Sequence, residues 1–407
     1  MEILSPAGNL EKLKTALMFG ADAVYCGIGK FSLRTAADNF TFDELCEGVS
    51  LAHSMGKKIY ITANAIPHES DISSFIEICE QAVAAKADAL IISDLGAFDI
   101  ATKYKDKIDL HVSTQSSNTN HHSLNVWHRM GASRIVLARE LSFDEIREIR
   151  KNISPELELE MFVHGAMCMS YSGRCLLSNY LTYRDSNRGA CAQPCRWKYF
   201  LTEEKRQGEY MEIAESDKGT FIFNSKDLCL INQLPEIMEL GVDSLKIEGR
   251  MKSSYYTAIV TKAYRQALDD LKANPDVPVD SYYFEELCKV SHRDYYTGFA
   301  FGAPGPEGQI YGNSSYIREY DIIGVVIDTV DGVAIIEQKN RFFDGDEIEI
   351  VPKDGRFDTF KISGMTDSQG VSIDSAPHAQ MEVRIRLPKE YHKGTILRKI
   401  VNEERLK

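Results

Sequence analysis

Two hydrophobic periods alternate along the first 270 residues. Short, near-continuous apolar runs recur as EILSPA (2–7), GADAVYCG (20–27), KKIYITAN (57–64), KADALIISD (86–94), IDLHVST (108–114), GASRIVLARE (131–140), LELEMFVHG (157–165) and GVDSLKIEG (241–249). Between them lie stretches with helical spacing: Asn9–Phe19, Ser70–Ala85, His121–Met130 and Leu230–Leu240. A small residue precedes several of the runs, as suits a helix end turning back into a strand. Apolar strands alternating with helices predict a parallel sheet covered on both faces. Eight such units over about 250 residues predict an α/β fold of the (β/α)8 TIM-like type. A doubly wound open sheet is the alternative, but no glycine-rich dinucleotide turn follows the first strand.

This pattern places the barrel in residues 1–272, with a cysteine-bearing insertion at about 166–225, after strand seven. Residues 273–310 read as a connector: ANPDVPVD (273–280), a helix near Tyr283–Val290, then TGFAFGAPGPEG (297–308). From 311 to 407 the period becomes that of short strands: DIIGVVID, GVAIIEQ, GDEIEIV, DTFKISG, GVSID, MEVRIRL and GTILRKI. These predict a small antiparallel β-barrel.

Composition narrows the function. The 407 residues are 43% hydrophobic and 26% charged, as in a soluble globular protein. No apolar run is long enough to span a bilayer, and MEILSPAGNLEKLK has no leader pattern, so a cytoplasmic protein with no membrane partner is expected. A net charge of −13 argues against broad, non-specific nucleic-acid binding. One stretch runs the other way: Arg174, Arg184, Arg188, Arg196 and Lys198 stand against a single acid, Asp185. It is either a loop of solvated charges or a local site for phosphate, such as an RNA backbone.

Five of the nine cysteines fall between 168 and 229. A cytosolic protein rarely keeps disulfides, so clustered thiols point to metal or catalysis. Cys168, Cys175, Cys191 and Cys195 follow C-x6-C-x15-C-x3-C. Four thiolates in one insertion can close around a [4Fe–4S] cluster or a tetrahedral zinc ion. Paired C-x2-C knuckles of a zinc ribbon are absent, so the iron–sulfur reading leads, with zinc and redox thiols as alternatives. Cys229 could replace Cys195 as fourth ligand.

Barrel sites sit at the C-terminal ends of strands, which nominates a second layer. Asn64, Gln115, Arg139, Lys226, Asp227 and Arg250 are candidates for substrate binding, with Arg139, Lys226 and Arg250 able to clamp a carboxylate. Glu140, His164 and Glu248 are candidates for proton transfer. The bland alternative is that several of these only pair with one another. Zincin, G-x-S-x-G and phosphate-loop motifs are missing, as is the three-cysteine run of radical-SAM enzymes.

The run Glu160-x-Phe162-x-x-Gly165-Ala166-Met167-Cys168-x4-Gly173-x-Cys175-x-Leu177-Ser178 resembles the signature of the U32 peptidase family, as do NRGACAQPCRWKYF (187–200), NSKDLC (224–229) and SLKIEGRMKS (244–253). The opening SPAGNLEKLKTALMFGADAVY and the small C-terminal domain are similar as well. Within the family, the GACAQPCRWKY form is most similar to the group that acts in tRNA hydroxylation. That resemblance implies prephenate-dependent 5-hydroxylation of the wobble uridine, a [4Fe–4S] centre on Cys168, Cys175, Cys191 and Cys195, and contact with the anticodon region of tRNA. It also implies an electron-transfer partner or a second U32 protein as a possible associate. The family's older label, peptidase or collagenase, would need an activated nucleophile, for which Cys168 beside His164 is the available pair. A non-catalytic iron–sulfur scaffold is the third reading.

Overall fold

A computed structural model describes residues 1–29, 39–168, 170–171, 175–186, 190–197, 201–202, 210–211, 225–304, 308, 310 and 316–401. Eight parallel strands close into a barrel: β1 (Glu2–Pro6), β2 (Ala23–Cys26), β3 (Lys58–Ala63), β4 (Ala89–Ile92), β5 (Asp109–Val112), β6 (Arg134–Val136), β7 (Glu158–Ala166) and β9 (Ser244–Ile247), the ring completed by β9 pairing with β7. Every one of the eight apolar runs is therefore a barrel strand. The TIM-like fold is as the periodicity predicts.

Helices α1 (Leu10–Met18), α2 (Phe42–Ser54), α3 (Ile72–Ala84), α4 (Leu95–Ala101), α5 (His121–Met130) and α6 (Phe143–Lys151) follow the first six strands. Their starts are locally encoded. Asn9 accepts from the Lys12 amide, and Thr41 with Glu44 and Ser142 with Glu145 form capping boxes. The helices bury apolar stripes against the outer strand faces, giving one continuous core.

The interior of the barrel is filled differently. Leu4, Ala23, Tyr25, Tyr60, Ala89 and Ile91 form a small apolar layer. Beside it lies a buried ionic chain: Arg134 reaches Glu2 at 2.6 Å and Glu160 at 3.2 Å, and Lys246 reaches Glu160 at 2.7 Å. Each charge has an opposite partner, which is what makes such burial tolerable.

Two features depart from a plain barrel. A short strand, β8 (Asp227–Cys229), returns antiparallel to β7, and Tyr295–Tyr296 of the connector adds parallel to β8. A short helix, α8 (Leu234–Glu239), precedes β9, after which come the long helix α9 (Ser254–Ala273) and α10 (Ser281–Cys288). The C-terminal domain is a seven-stranded antiparallel sheet with its own core, curled into a half-barrel whose outer strands, 358–361 and 366–367, are not paired with each other. It is held to the barrel by Arg398, which is buried against Glu286 of α10 and Glu349 of the sheet, both at 2.6 Å. Among the described residues, no helix is long and apolar enough to cross a membrane.

Candidate functional site

The C-terminal ends of the strands open into a cavity of about 1060 Å³, roofed by the cysteine-bearing insertion and by Tyr316, Arg318 and Tyr320 at the start of the C-terminal domain. Cys168, Cys175, Cys191 and Cys195 all line it. Cys168 follows directly on β7, whereas Cys195 sits in a single 3-10 turn (Pro194–Arg196). α7 (Leu177–Thr182) carries Ser178, whose hydroxyl accepts from the Ala192 amide at 3.0 Å and so ties the two halves of the insertion together. Cys168 is exposed and the other three half-exposed.

Thiols facing one cavity are the donor set that a zinc ion or an iron–sulfur cluster takes. Among the described residues, no three His, Cys, Asp or Glu side chains already converge on one ion position. The donor chemistry and the shared cavity fit an inorganic centre, whose binding would have to draw the thiols together, because metal binding and local folding are coupled.

The same cavity is rich in cationic side chains. Arg139, Lys246, Arg250, Lys252 and Arg318 line the cavity against Glu248 and Asp321. Arg139 donates to the Ala166 carbonyl at 2.6 Å, stacks 3.9 Å over Phe162 and lies 3.9 Å from Glu248, while its buried Nε has no partner. Arg250 is buried and donates to the Thr62 hydroxyl at 2.9 Å. Asn64 and Gln115 both lean on the Ser113 hydroxyl at 3.4 Å, leaving Asn64 Oδ1 and Gln115 Nε2 buried without partners. Unmet donors and acceptors in a cavity wall cost free energy until something polar fills it. The arrangement suits a small organic anion held by guanidinium forks and oriented by amides.

Glu248 is placed by a close backbone approach. Gly165 (φ +104°) lies under it, where a Cβ would meet the Glu248 carbonyl oxygen at 2.5 Å. Only glycine allows β7 to end so near β9.

Of the residues nominated from sequence, Asn64, Gln115, Arg139, Glu248, Arg250 and the four cysteines thus meet at one cavity. Five do not. His164 is buried among Tyr256, Tyr264 and Tyr295, and burial holds its pKa down to about 3. It is a neutral core residue, turned away because the β9–β7 register slips at Lys246/Ile247, where His164 pairs with Ile247. Glu140, its pKa raised by burial, lies off the lining, and so does Lys226, whose ammonium stands 6.0 Å from the Tyr296 ring. Asp227 is buried beneath Arg293, whose backbone amide donates to it at 3.2 Å. Cys229 is buried on β8, its thiol pushed up to about 12 by desolvation, and does not reach the cavity. It therefore stands apart from the four thiols that line the cavity. Arg184 is exposed; Arg174, Arg188, Lys198 and the Arg196 side chain lie outside the described residues.

Lys246 and Lys252 are cavity residues the sequence reading passed over. Lys246 looked like an ordinary strand position, and Lys252 lay just past the nominated strand end. Lys252 donates to the Ser291 carbonyl at 3.0 Å and lies 3.9 Å over Tyr316; burial lowers its pKa.

The sequence matches the model of Peptidase family U32 over residues 8–310 and that of the Peptidase family U32 C-terminal domain over 318–398. It is 39% identical to tRNA hydroxylation protein P1 of Bacillus subtilis, across 98% of this chain and 94% of that one. Identity to tRNA hydroxylation protein P of Escherichia coli is 36%, across 96% and 94%. An uncharacterized protease of Methanocaldococcus jannaschii is 41% identical across 87% of each. The chain belongs to peptidase family U32.

Proposed function

We propose that this protein takes part, in the cytoplasm, in the prephenate-dependent 5-hydroxylation of a wobble uridine of tRNA. The observation that carries the reading is the placing of four thiols and several cationic side chains in one cavity, in a chain that is 39% and 36% identical, over nearly their full length, to two proteins named for tRNA hydroxylation. Cys168, Cys175, Cys191 and Cys195 would hold a [4Fe–4S] cluster, which supplies electron transfer when bound. Arg139 and Arg250 would grip the carboxylates of prephenate, with Lys246 and Lys252 adding positive charge. Asn64 and Gln115 would orient its remaining oxygens. Glu248, beside Arg139 at the end of β9, would take or return a proton.

The test is nucleoside mass spectrometry of tRNA from a strain lacking the gene. Loss of 5-hydroxyuridine derivatives, restored by the wild-type gene, is expected; an unchanged nucleoside profile overturns the proposal.

The second reading, a peptidase, rests on the protease name of the archaeal relative. A cysteine nucleophile needs a base within hydrogen-bond reach. Among the described residues lining the cavity there is no histidine, and His164 is enclosed by tyrosines. Geometry therefore favours the tRNA reading. Incubating the protein with gelatin and casein, beside its Cys168→Ser variant, separates the two.

A further inference from the structure

Lys246 and Lys252 both line the cavity, but their surroundings differ. Lys246 on β9 is bound at 2.7 Å to Glu160, a fully buried carboxylate, so its ammonium is fixed as one half of an ion pair. Lys252 stands at the turn after β9, where its amide donates to the Gly249 carbonyl at 2.8 Å. Its Nζ meets the Ser291 carbonyl at 3.0 Å and lies 3.9 Å from the Tyr316 ring and 5.2 Å from the Tyr256 ring. No carboxylate among the described residues pairs with it: Asp227, which acts on it from a distance, faces Arg293 at 3.9 Å. Burial, and the Arg293 guanidinium nearby, both work against the ammonium form, the two conditions that make a lysine amine nucleophilic. Arg250 lies on the same turn and lines the same cavity. One turn thus presents a carboxylate-binding guanidinium and an amine without an acid partner to a single ligand space.

We infer that Lys252 is the nucleophile that captures the keto group of an α-keto acid as an imine, while Arg250 holds a carboxylate of the same molecule. The inference rests on the proposed prephenate site and deepens it, since prephenate carries an α-keto acid side chain. The Nζ lone pair of the free amine attacks the ketone carbon, a C=N bond replaces C=O, and the oxygen leaves as water with both amine hydrogens. No electrons are gained or lost, and water reverses the step. Once protonated, the imine draws electrons from the neighbouring carbon more strongly than the ketone does, so it activates the ligand as well as holding it. Lys246 is excluded from this role, because giving up its proton would break the ion pair with a buried carboxylate.

The experiment mixes the anaerobically purified full chain with prephenate, and separately with pyruvate as the smallest α-keto acid, in the presence of sodium cyanoborohydride. Reduction turns the imine into a stable secondary amine that adds the mass of the keto acid less one oxygen atom, and peptide mass spectrometry locates it. A single adduct on the peptide carrying Lys252 is expected, lost in Lys252→Arg. Arginine keeps the positive charge, so with an unchanged melting curve the loss reports the missing amine rather than a collapsed site. No adduct on Lys252, an adduct that survives in Lys252→Arg, or labelling spread evenly over exposed lysines such as Lys14 overturns the inference. Trapping needs no tRNA, so the two proposals fail separately. A deletion strain that loses 5-hydroxyuridine while the protein forms no adduct overturns the imine alone. An adduct on Lys252 beside an unchanged nucleoside profile overturns the tRNA reading and leaves a keto-acid site.

Discussion

The Arg250 guanidinium donates to the Thr62 hydroxyl at 2.9 Å, which fixes a buried cation from the end of β9 against the end of β3, across the cavity mouth. A guanidinium held in this way is preorganised for an incoming carboxylate, since its rotamer is already paid for by the hydroxyl.

If prephenate is the anion bound, as proposed above, replacing Arg250 by Gln should raise its half-saturating concentration by about tenfold or more, the scale of one charge-assisted hydrogen bond. Arg250→Lys should recover only part of the loss, because an ammonium cannot present the planar fork. The check is the prephenate dependence of hydroxylation with purified tRNA, beside a melting curve showing that the variants fold.

The cysteines divide by position. Substituting Ser for Cys168, Cys175, Cys191 or Cys195 should strip most of the bound iron and sulfide from anaerobically purified protein, as each supplies one ligand of the proposed cluster. Cys229→Ser should leave the iron content unchanged, since that thiol is buried on β8 away from the cavity. Iron and acid-labile sulfide assays decide between these outcomes. A Cys229 variant that lost its iron would restore the ligand exchange that the structure argues against.

His164 gives a pH prediction. Its folded pKa is held to about 3 by burial, while in the unfolded chain it titrates near 6.5. The depressed folded value means the unfolded state binds the extra proton between those limits. Stability is thus fully present above about pH 6.5 and falls as the pH drops toward 3, by about 1.4 kcal/mol per pH unit. His111, buried inside the barrel with its pKa lowered the same way, adds to the slope. The difference in unfolding free energy between wild type and His164→Phe, followed by urea titration from pH 7 to pH 4, should change by one proton's worth. Parallel pH dependences for the two proteins would show that His164 does not stay neutral in the fold.

Sequence periodicity revealed the barrel because all eight strands are apolar on the face that packs against the helices, as in the buried run Ala89–Ile92. The four cavity cysteines were legible for a different reason: thiols are rare, and their spacing survives in the chain order. What stayed hidden was side-chain direction. His164 and Phe162 stand two residues apart on β7, yet only Phe162 reaches the cavity, because a register slip between β9 and β7 intervenes. Lys246 was hidden by its pairing. Its partner Glu160 lies 86 residues away, and no local pattern joins them. β8 is three residues long and carries no readable period.

Arg398 is fully buried, bonded to Glu286 on α10 and to Glu349 in the half-barrel, with Lys289 closing the group at 3.0 Å from Glu349. Removing the arginine leaves two carboxylates facing each other in a dry interface with one ammonium between them. The cost of uncovering a buried ion pair is about 3–5 kcal/mol, so Arg398→Met should lower the unfolding midpoint clearly. The loss should fall first on the junction rather than on either core, because the half-barrel packs around its own apolar cluster. Limited proteolysis should then release an intact C-terminal fragment from the variant before the barrel is cut. Tyr316 and Arg318, which precede the half-barrel's first strand and line the cavity, would lose their anchorage, so prephenate binding should weaken together with the junction. Whole-chain unfolding in a single step, with no early fragment, would show that the domains stand or fall together and that Arg398 serves a common core.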